Sequence, residues 1–187
     1  MATHGNRHLG SIVVQDYGNW HRGYVSPFWS KNSYTTLNYK RQPFNNISDI
    51  KKWRDQGYTH KYYTGMLCDM NTQQPKYVPD FINWFANTYN AKNIGVSFYE
   101  MPTGVILPTH KDTFKKYRSL FKCKLKDCIR AIVFLDKWQP GHVFEIDGHS
   151  ITNYRKGDFV FWQGNTPHMA ANIGVKTRYT MQITGHK

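Results

Sequence analysis

The stretch Val105-Ile-Leu-Pro-Thr-His-Lys-Asp112 decides how the chain is read. Its first three residues are apolar and extended in character, and they deliver His110 and Asp112 two positions apart. On a strand or its edge, residues i and i+2 project to the same side, so an imidazole and a carboxylate can reach one ion. A second imidazole arrives at Pro167-His168, after enough chain for several strands to return to the same place. Two imidazoles and one carboxylate, with the remaining positions open, form the ligand set that suits non-heme Fe(II). His110, Asp112 and His168 are therefore the candidate metal ligands and the candidate catalytic centre. A rolled β structure is what would bring them together.

The flanking sequence supports that architecture. From Asn93 the pattern has a period of two, with Ile94, Val96 and Phe98 alternating with Gly95, Ser97 and Tyr99, which predicts a half-buried strand. Further strands are expected over 128–135, 142–148, 159–163 and 178–184, separated by Asp136-Lys-Trp-Gln-Pro-Gly141, an Asp147-Gly148 hairpin turn, and Tyr154-Arg-Lys-Gly-Asp158. Many short strands with turn residues between them indicate a mainly β, jelly-roll barrel with flanking helices.

Upstream, Ser11 to Tyr17 and Ser33 to Tyr39 read as strands. Residues 48–57 read as a short helix capped by Ser48 and closed by Gly57. Val78 to Tyr89 reads as a longer helix with Pro79 in its first turn. Phe81, Ile82, Trp84, Phe85 and Tyr89 fall on one broad face of that helix and are expected to pack on the outside of the β core. Residues 1–10 are polar and expected to be loose.

Composition narrows the function classes. The 187 residues suit a single domain with a substantial core. Cys68, Cys123 and Cys128 are an odd set without a Cys-x-x-Cys pair, which speaks against a disulfide framework or a zinc ribbon. No apolar run approaches the roughly 20 residues that span a bilayer. The opening Met-Ala-Thr-His-Gly-Asn-Arg-His lacks the apolar core of a signal peptide, so the expected compartment is the cytoplasm. The formal net charge of +13 favours an anionic partner, though a solvated basic surface explains it equally.

Three positions carry two readings each. Tyr99 either points into the barrel or is an ordinary core tyrosine. Arg130 lies on the opposite face of its strand from Ile129, Ala131 and Val133; if that face is inward, the charge requires an anionic partner. The basic and aromatic stretch 113–126, with Lys115, Tyr117 and Arg118, either contacts an anionic or planar substrate or forms an amphipathic lid with solvated charges. His142, Asp147 and His149 form a rival metal set in principle, but a hairpin turn accounts for them more simply.

His110-x-Asp112, the distal His168 and Arg178 in Lys176-Thr-Arg178-Tyr-Thr stand in the order that marks the Fe(II)/2-oxoglutarate-dependent dioxygenases, and the stretch from Asn93 to Gly185 resembles that superfamily. The resemblance implies a double-stranded β-helix, cupin-like, with the cosubstrate motifs in 93–187 and strands and bracing helices in 1–92. It implies Fe(II), 2-oxoglutarate and O2 as reactants, Arg178 on the distal carboxylate of 2-oxoglutarate, and a hydroxyl such as Tyr99 or Thr180 assisting. An arginine's rigid fork suits such a carboxylate.

Trp138, Gly157-Asp158, Pro167-His168, Ala171-Asn172, Gly174, Arg178 and Gln182-Ile-Thr-Gly185 look like the aspartyl/asparaginyl β-hydroxylase branch, in which Arg130 would match a second 2-oxoglutarate arginine. Ile132 stands where that branch has a histidine, and Asp112 is present where some members lack it, so the peptide-aspartate substrate is not carried over. The likeness to prolyl hydroxylases runs through the metal and arginine pattern alone. The function these residues imply is hydroxylation of a C–H bond, with release of succinate and CO2, on an anionic or acidic protein, peptide or small molecule. One alternative is a nucleic-acid oxygenase, although Thr184 stands where the alkylation-repair enzymes carry a second arginine. The other is a metal-binding cupin without turnover.

Overall fold

The computed structural model describes residues 9–44 and 46–187. Among these, the chain builds β1 (Ser11–Asp16), β2 (Trp20–Val25), α1 (Asn32–Thr35), β3 (Lys40–Pro43), α2 (Ile47–Asp55), β4 (Thr64–Asp69) and α3 (Val78–Tyr89). It continues with β5 (Lys92–Met101), β6 (Val105–Lys111), α4 (Lys115–Phe121), β7 (Cys128–Phe134), β8 (His142–Ile146), β9 (His149–Ser150), β10 (Asp158–Gln163), β11 (Pro167–Asn172) and β12 (Arg178–His186). The strands form an eight-stranded sheet, β1-β2-β10-β7-β12-β5-β4-β3, facing a four-stranded sheet, β6-β11-β8-β9. Every pairing is antiparallel.

The large sheet packs apolar residues on both faces, and each face has its own task. On the outer face Val96, Phe98, Ile129, Ala131, Val133, Met181 and Ile183 pack with Phe81, Trp84 and Phe85 of α3, as the periodicity of that helix predicts. On the inner face Phe134, Val160 and Trp162 meet Phe144, Ile146 and Ala170 of the small sheet. Strand alternation therefore sends the other set of β12 residues, Arg178, Thr180, Gln182 and Thr184, into the barrel, where all but Gln182 are buried. A polar stripe inside a β sandwich has no packing purpose of its own and points to a ligand-bearing interior.

Two turns close the end of the barrel near Arg178. A Cβ on Gly141 would collide with the Gly174 backbone, and one on Gly174 with the Pro140 carbonyl, so neither tolerates a side chain. The Asp147-Gly148 pair, both at positive φ, makes the expected hairpin between β8 and β9.

Two expectations are corrected. Residues 33–39 do not form a strand: Asn32–Thr35 are helical, and the chain extends only at Lys40–Pro43. The Ser33 and Thr36 hydroxyls donate to the carbonyls of Ser30 and Asn32, which stabilises the turn over an extended path. The cap of α2 is Asn46 and not Ser48; Asn46 Oδ1 accepts from the Ser48 amide at 3.3 Å and from its hydroxyl at 2.8 Å. Asn46 offers an acceptor two residues earlier, and the helix starts there. Strands β2 and β4 were not foreseen, because Trp-His-Arg-Gly-Tyr-Val and Thr-Gly-Met-Leu-Cys-Asp break strict alternation. The expectation for residues 1–10 lies mostly outside the described residues. No helix among the described residues is long and apolar enough to cross a membrane.

Candidate metal centre

β6 and β11 are neighbours in the small sheet, and their register places His110 directly opposite His168. The two imidazoles lie 4.4 Å apart between ring centres, and Asp112, just past the end of β6, brings Oδ2 to 3.5 Å from His168 Nε2. One ligand atom from each of the three residues lies within 4.8 Å of the others, and no other His/Cys/Asp/Glu group among the described residues converges in this way. In the rival set, His142 is held by Tyr154 Oη and the Lys176 carbonyl, while His149 faces solvent.

Both histidines are prepared as ligands. His110 Nδ1 donates to the Pro108 carbonyl at 2.8 Å and His168 Nδ1 to the Thr166 carbonyl at 3.0 Å. A carbonyl can only accept, so each neutral ring keeps its proton on Nδ1 and turns the Nε2 lone pair toward the centre. Burial, then the neighbouring His168, pushes His110 down to about 4, and burial likewise lowers His168, so both are unprotonated at neutral pH. Burial alone would raise the Asp112 carboxyl, but Arg130 and the two imidazoles outweigh it and hold it below its ordinary range. The donor set, two neutral imidazoles and one carboxylate, fits a divalent first-row metal such as Fe(II).

Arg130 faces inward. Its Nη1 donates to Asp112 Oδ2 at 2.6 Å, and its Nε donates to Thr184 Oγ1 at 3.2 Å. Thr184 and Arg130 are cross-strand partners, so a guanidinium reaches that position from the adjacent strand instead of from residue 184 itself. Phe114 covers Arg130, with its ring centre 4.5 Å from the guanidinium carbon, and sits at φ 47° as the chain turns into α4.

Arg178 occupies the other end of the polar stripe. Thr184 lies six residues on along β12, about 20 Å at strand spacing, so the two arginines bracket the interior. Arg178 is 4% exposed and lies between the Phe134 and Phe144 rings at 5.6 and 5.5 Å. Phe144 pairs with Ala170, two residues or about 7 Å along β11 from His168. The Arg178 Nη1 contact is with Met101 Sδ at 3.6 Å and the Tyr154 hydroxyl lies beside the guanidinium, whereas Nε and Nη2 are buried without a well-formed hydrogen bond. Tyr99, with its ionisation raised by burial, and Thr180 line the space between the arginines. Of the lid residues, Lys115 is exposed and Arg118 half-buried, while the Tyr117 hydroxyl is engaged with the Lys92 and Asn93 carbonyls and His186.

The walls of the centre are aromatic and carry almost no pattern along the chain. Trp162 lies against His168 at 4.7 Å, and Phe44 and Trp53 meet His110 edge-on at 5.0 and 5.9 Å. Trp53 is the lone aromatic residue in the polar helix α2, which is the one signal that could have marked it.

No family model matches the chain, and no curated protein is significantly similar to it in sequence. Solved structures do match in shape. A Pseudomonas putida prolyl-4-hydroxylase superposes with a TM-score of 0.51 at 13% identity, covering 82% of this chain and 95% of its own. The non-heme alpha ketoglutarate dependent carbocyclase SnoK, from nogalamycin biosynthesis, superposes with a TM-score of 0.52 at 13% identity, covering 85% and 84%. The likeness is one of fold. It establishes the double-stranded β-helix, and the chemistry is argued from the residues.

Proposed function

We propose that the chain is an Fe(II)- and 2-oxoglutarate-dependent oxygenase that hydroxylates a C–H bond and releases succinate and CO2. The observation that carries this reading is Arg178, a buried guanidinium with two unmatched donors in the same barrel as an open three-ligand set. A buried cation of this kind needs an anion from outside, and a carboxylate suits its fork. A barrel that only held a metal would have no use for it, which disfavours an inert cupin.

His110, Asp112 and His168 would hold Fe(II), which supplies the redox chemistry that activates dioxygen. The chain's own part is placement. Arg178 takes the distal carboxylate of 2-oxoglutarate, with the Thr180 and Tyr99 hydroxyls as further donors along the stripe. Arg130 orients the ligating carboxylate of Asp112 and adds positive charge at the keto-acid end. Phe134, Phe144 and Trp162 keep water from the interior. No side chain has to act as a general base. Within the superfamily, the turn and ligand pattern from Trp138 to Gly185 supports the aspartyl/asparaginyl hydroxylase branch as the nearest relation.

Anaerobic titration with Fe(II) and 2-oxoglutarate tests the reading. A weak visible charge-transfer band should appear only with both present and vanish in His110→Ala. In Arg178→Ala, iron should be retained while the 2-oxoglutarate requirement rises sharply. A protein that binds iron but gives no 2-oxoglutarate-dependent band would overturn the proposal.

A further inference from the structure

We propose that the mouth of the metal site binds a single-stranded nucleic acid, with its backbone along the basic α4 segment and a base on the exposed Tyr17 and His149 rings. The inference deepens the oxygenase reading by naming the substrate class, but the docking itself does not depend on iron.

Strand register gathers one end of the barrel around the triad. In the large sheet Trp20 pairs with Trp162, Gln163 with Ile129, and His186 with both Cys128 and Lys92. In the small sheet Lys111 pairs with Pro167 beside the His110–His168 pair. The Arg130–Asp112 bond and the Trp162–His168 contact join the two sheets there. Whatever these strand ends carry into their loops therefore surrounds the metal ligands.

What they carry is positive. Seven of the chain's 25 Lys and Arg residues fall within positions 111–126, and Lys92 and Lys187 join them from the neighbouring strand ends. Of these nine, all but the half-buried Arg118 are exposed. The acidic groups at this end are Asp16, Asp127, Asp147 and the half-buried Asp49, which acts on His110, since Asp112 is paired with Arg130. Such density recruits a polyanion.

The second observation is aromatic. Tyr17, 39% exposed, stacks at 4.0 Å and 11° over Trp20, which is buried beneath it, with the exposed His149 4.7 Å from the Tyr17 ring. Trp20 is the cross-strand partner of Trp162, which lies against His168, so this planar cluster adjoins the metal centre. An acidic peptide would account for the lysines but leaves the stacked rings unused. Unpaired nucleotides offer a phosphate and a flat π-face at each step, which matches both features. His110 and His168 are only 5% and 6% exposed, so a base held in a duplex stack cannot reach them, which leaves unpaired nucleotides as the nucleic-acid form that fits.

Fluorescence anisotropy on the full chain tests this with labelled oligothymidylate against an oligoglutamate of equal charge, with and without Mn(II) and 2-oxoglutarate. The oligonucleotide should bind at least roughly tenfold more tightly. Its log affinity should fall with log salt at a slope of about 3, as for some four phosphates at about 0.7 each. Tyr17→Ala should weaken binding roughly fivefold or more without altering that slope. The triple substitution Lys115→Glu, Lys116→Glu, Lys122→Glu should weaken it and flatten the slope. Unchanged melting temperature and Mn(II) affinity in the variants would establish that each is folded. Equal binding of oligoglutamate, a silent Tyr17→Ala, or no binding of either probe would overturn the proposal. Oligonucleotide binding by a protein that gives no iron–2-oxoglutarate band would support the docking surface while removing the oxygenase reading.

Discussion

Replacing Arg178 by Met separates the cost of its buried guanidinium from the use proposed for it. In the free protein the Arg178 guanidinium is buried with Nε and Nη2 unmatched. Each unmet donor costs about 1–3 kcal/mol, and losing the contacts with the Phe134 and Phe144 rings returns about 0.5–2 kcal/mol of that. Methionine fills much of the same channel with apolar atoms, so the free variant should be more stable by about 1–4 kcal/mol. At roughly 2–4 °C per kcal/mol for a chain of this size, the melting temperature rises by several degrees. With Mn(II) and 2-oxoglutarate the order reverses. Two charge-assisted bonds to a carboxylate are worth about 1.5–3 kcal/mol each, so the variant should bind the dicarboxylate some hundredfold to ten-thousandfold more weakly. The native protein gains about 2.7 kcal/mol at a ligand concentration one hundred times its dissociation constant, and the variant gains almost none. Thermal melts of both proteins, with metal alone and with metal plus 2-oxoglutarate, read both effects. A variant that melts well below the native protein, or that gains equally from 2-oxoglutarate, would refute the reasoning.

Other perturbations probe the remainder of the centre. Arg130→Ala leaves the half-buried Asp112 carboxylate without its counter-ion and should destabilise the metal-free protein by about 1–4 kcal/mol, with Mn(II) restoring part of the loss in denaturant titrations. His110 titrates near 4 in the fold against 6.5 unfolded, so the unfolded chain binds more protons between those values. Stability of the metal-free protein is therefore full above pH 6.5 and lost as the pH falls toward 4, by about 3 kcal/mol from this residue. Urea titrations across that window should show a shallower slope for His110→Asn. Trp53→Ala empties a fully buried site beside His110 and should cost about 3–5 kcal/mol, read by the same titrations. Asp112→Ala should abolish succinate formation, measured with iron supplied in excess.

The parts of this molecule that could be read in advance are those in which local pattern and tertiary role coincide. Ile94, Val96 and Phe98 alternate because one face of β5 lies under α3, and the stripe of α3 is broad because it covers that face. His110 and His168 could be linked because a barrel returns the chain to its starting point. What could not be read depends on knowing which side of a strand is covered. Alternation told that Arg130 opposes Ile129 and Ala131, but only the position of α3 decides that Arg130 is inside. Strands β2 and β4, each one in from an edge of the large sheet, escaped because glycine, histidine and charge interrupt their alternation. The Asn46 cap and the helical turn at Asn32–Thr35 rest on side-chain hydrogen bonds a few residues long, where several competing placements have similar energies.

Phe114 has a further consequence. Its ring rests on Arg130, Arg130 grips Asp112, and the same residue begins the lysine-rich helix at the rim. Anything that displaces that helix acts on the electrostatic setting of a would-be metal ligand through two contacts. By thermodynamic reciprocity, a polyanion that loosens or tightens the grip on the cation must itself be held more weakly or more strongly by the same factor when the cation is present. If the rim takes the proposed polyanion and the centre a cation, their occupancies would be linked through these two contacts, and measuring either affinity as a function of the other ligand gives the coupling directly.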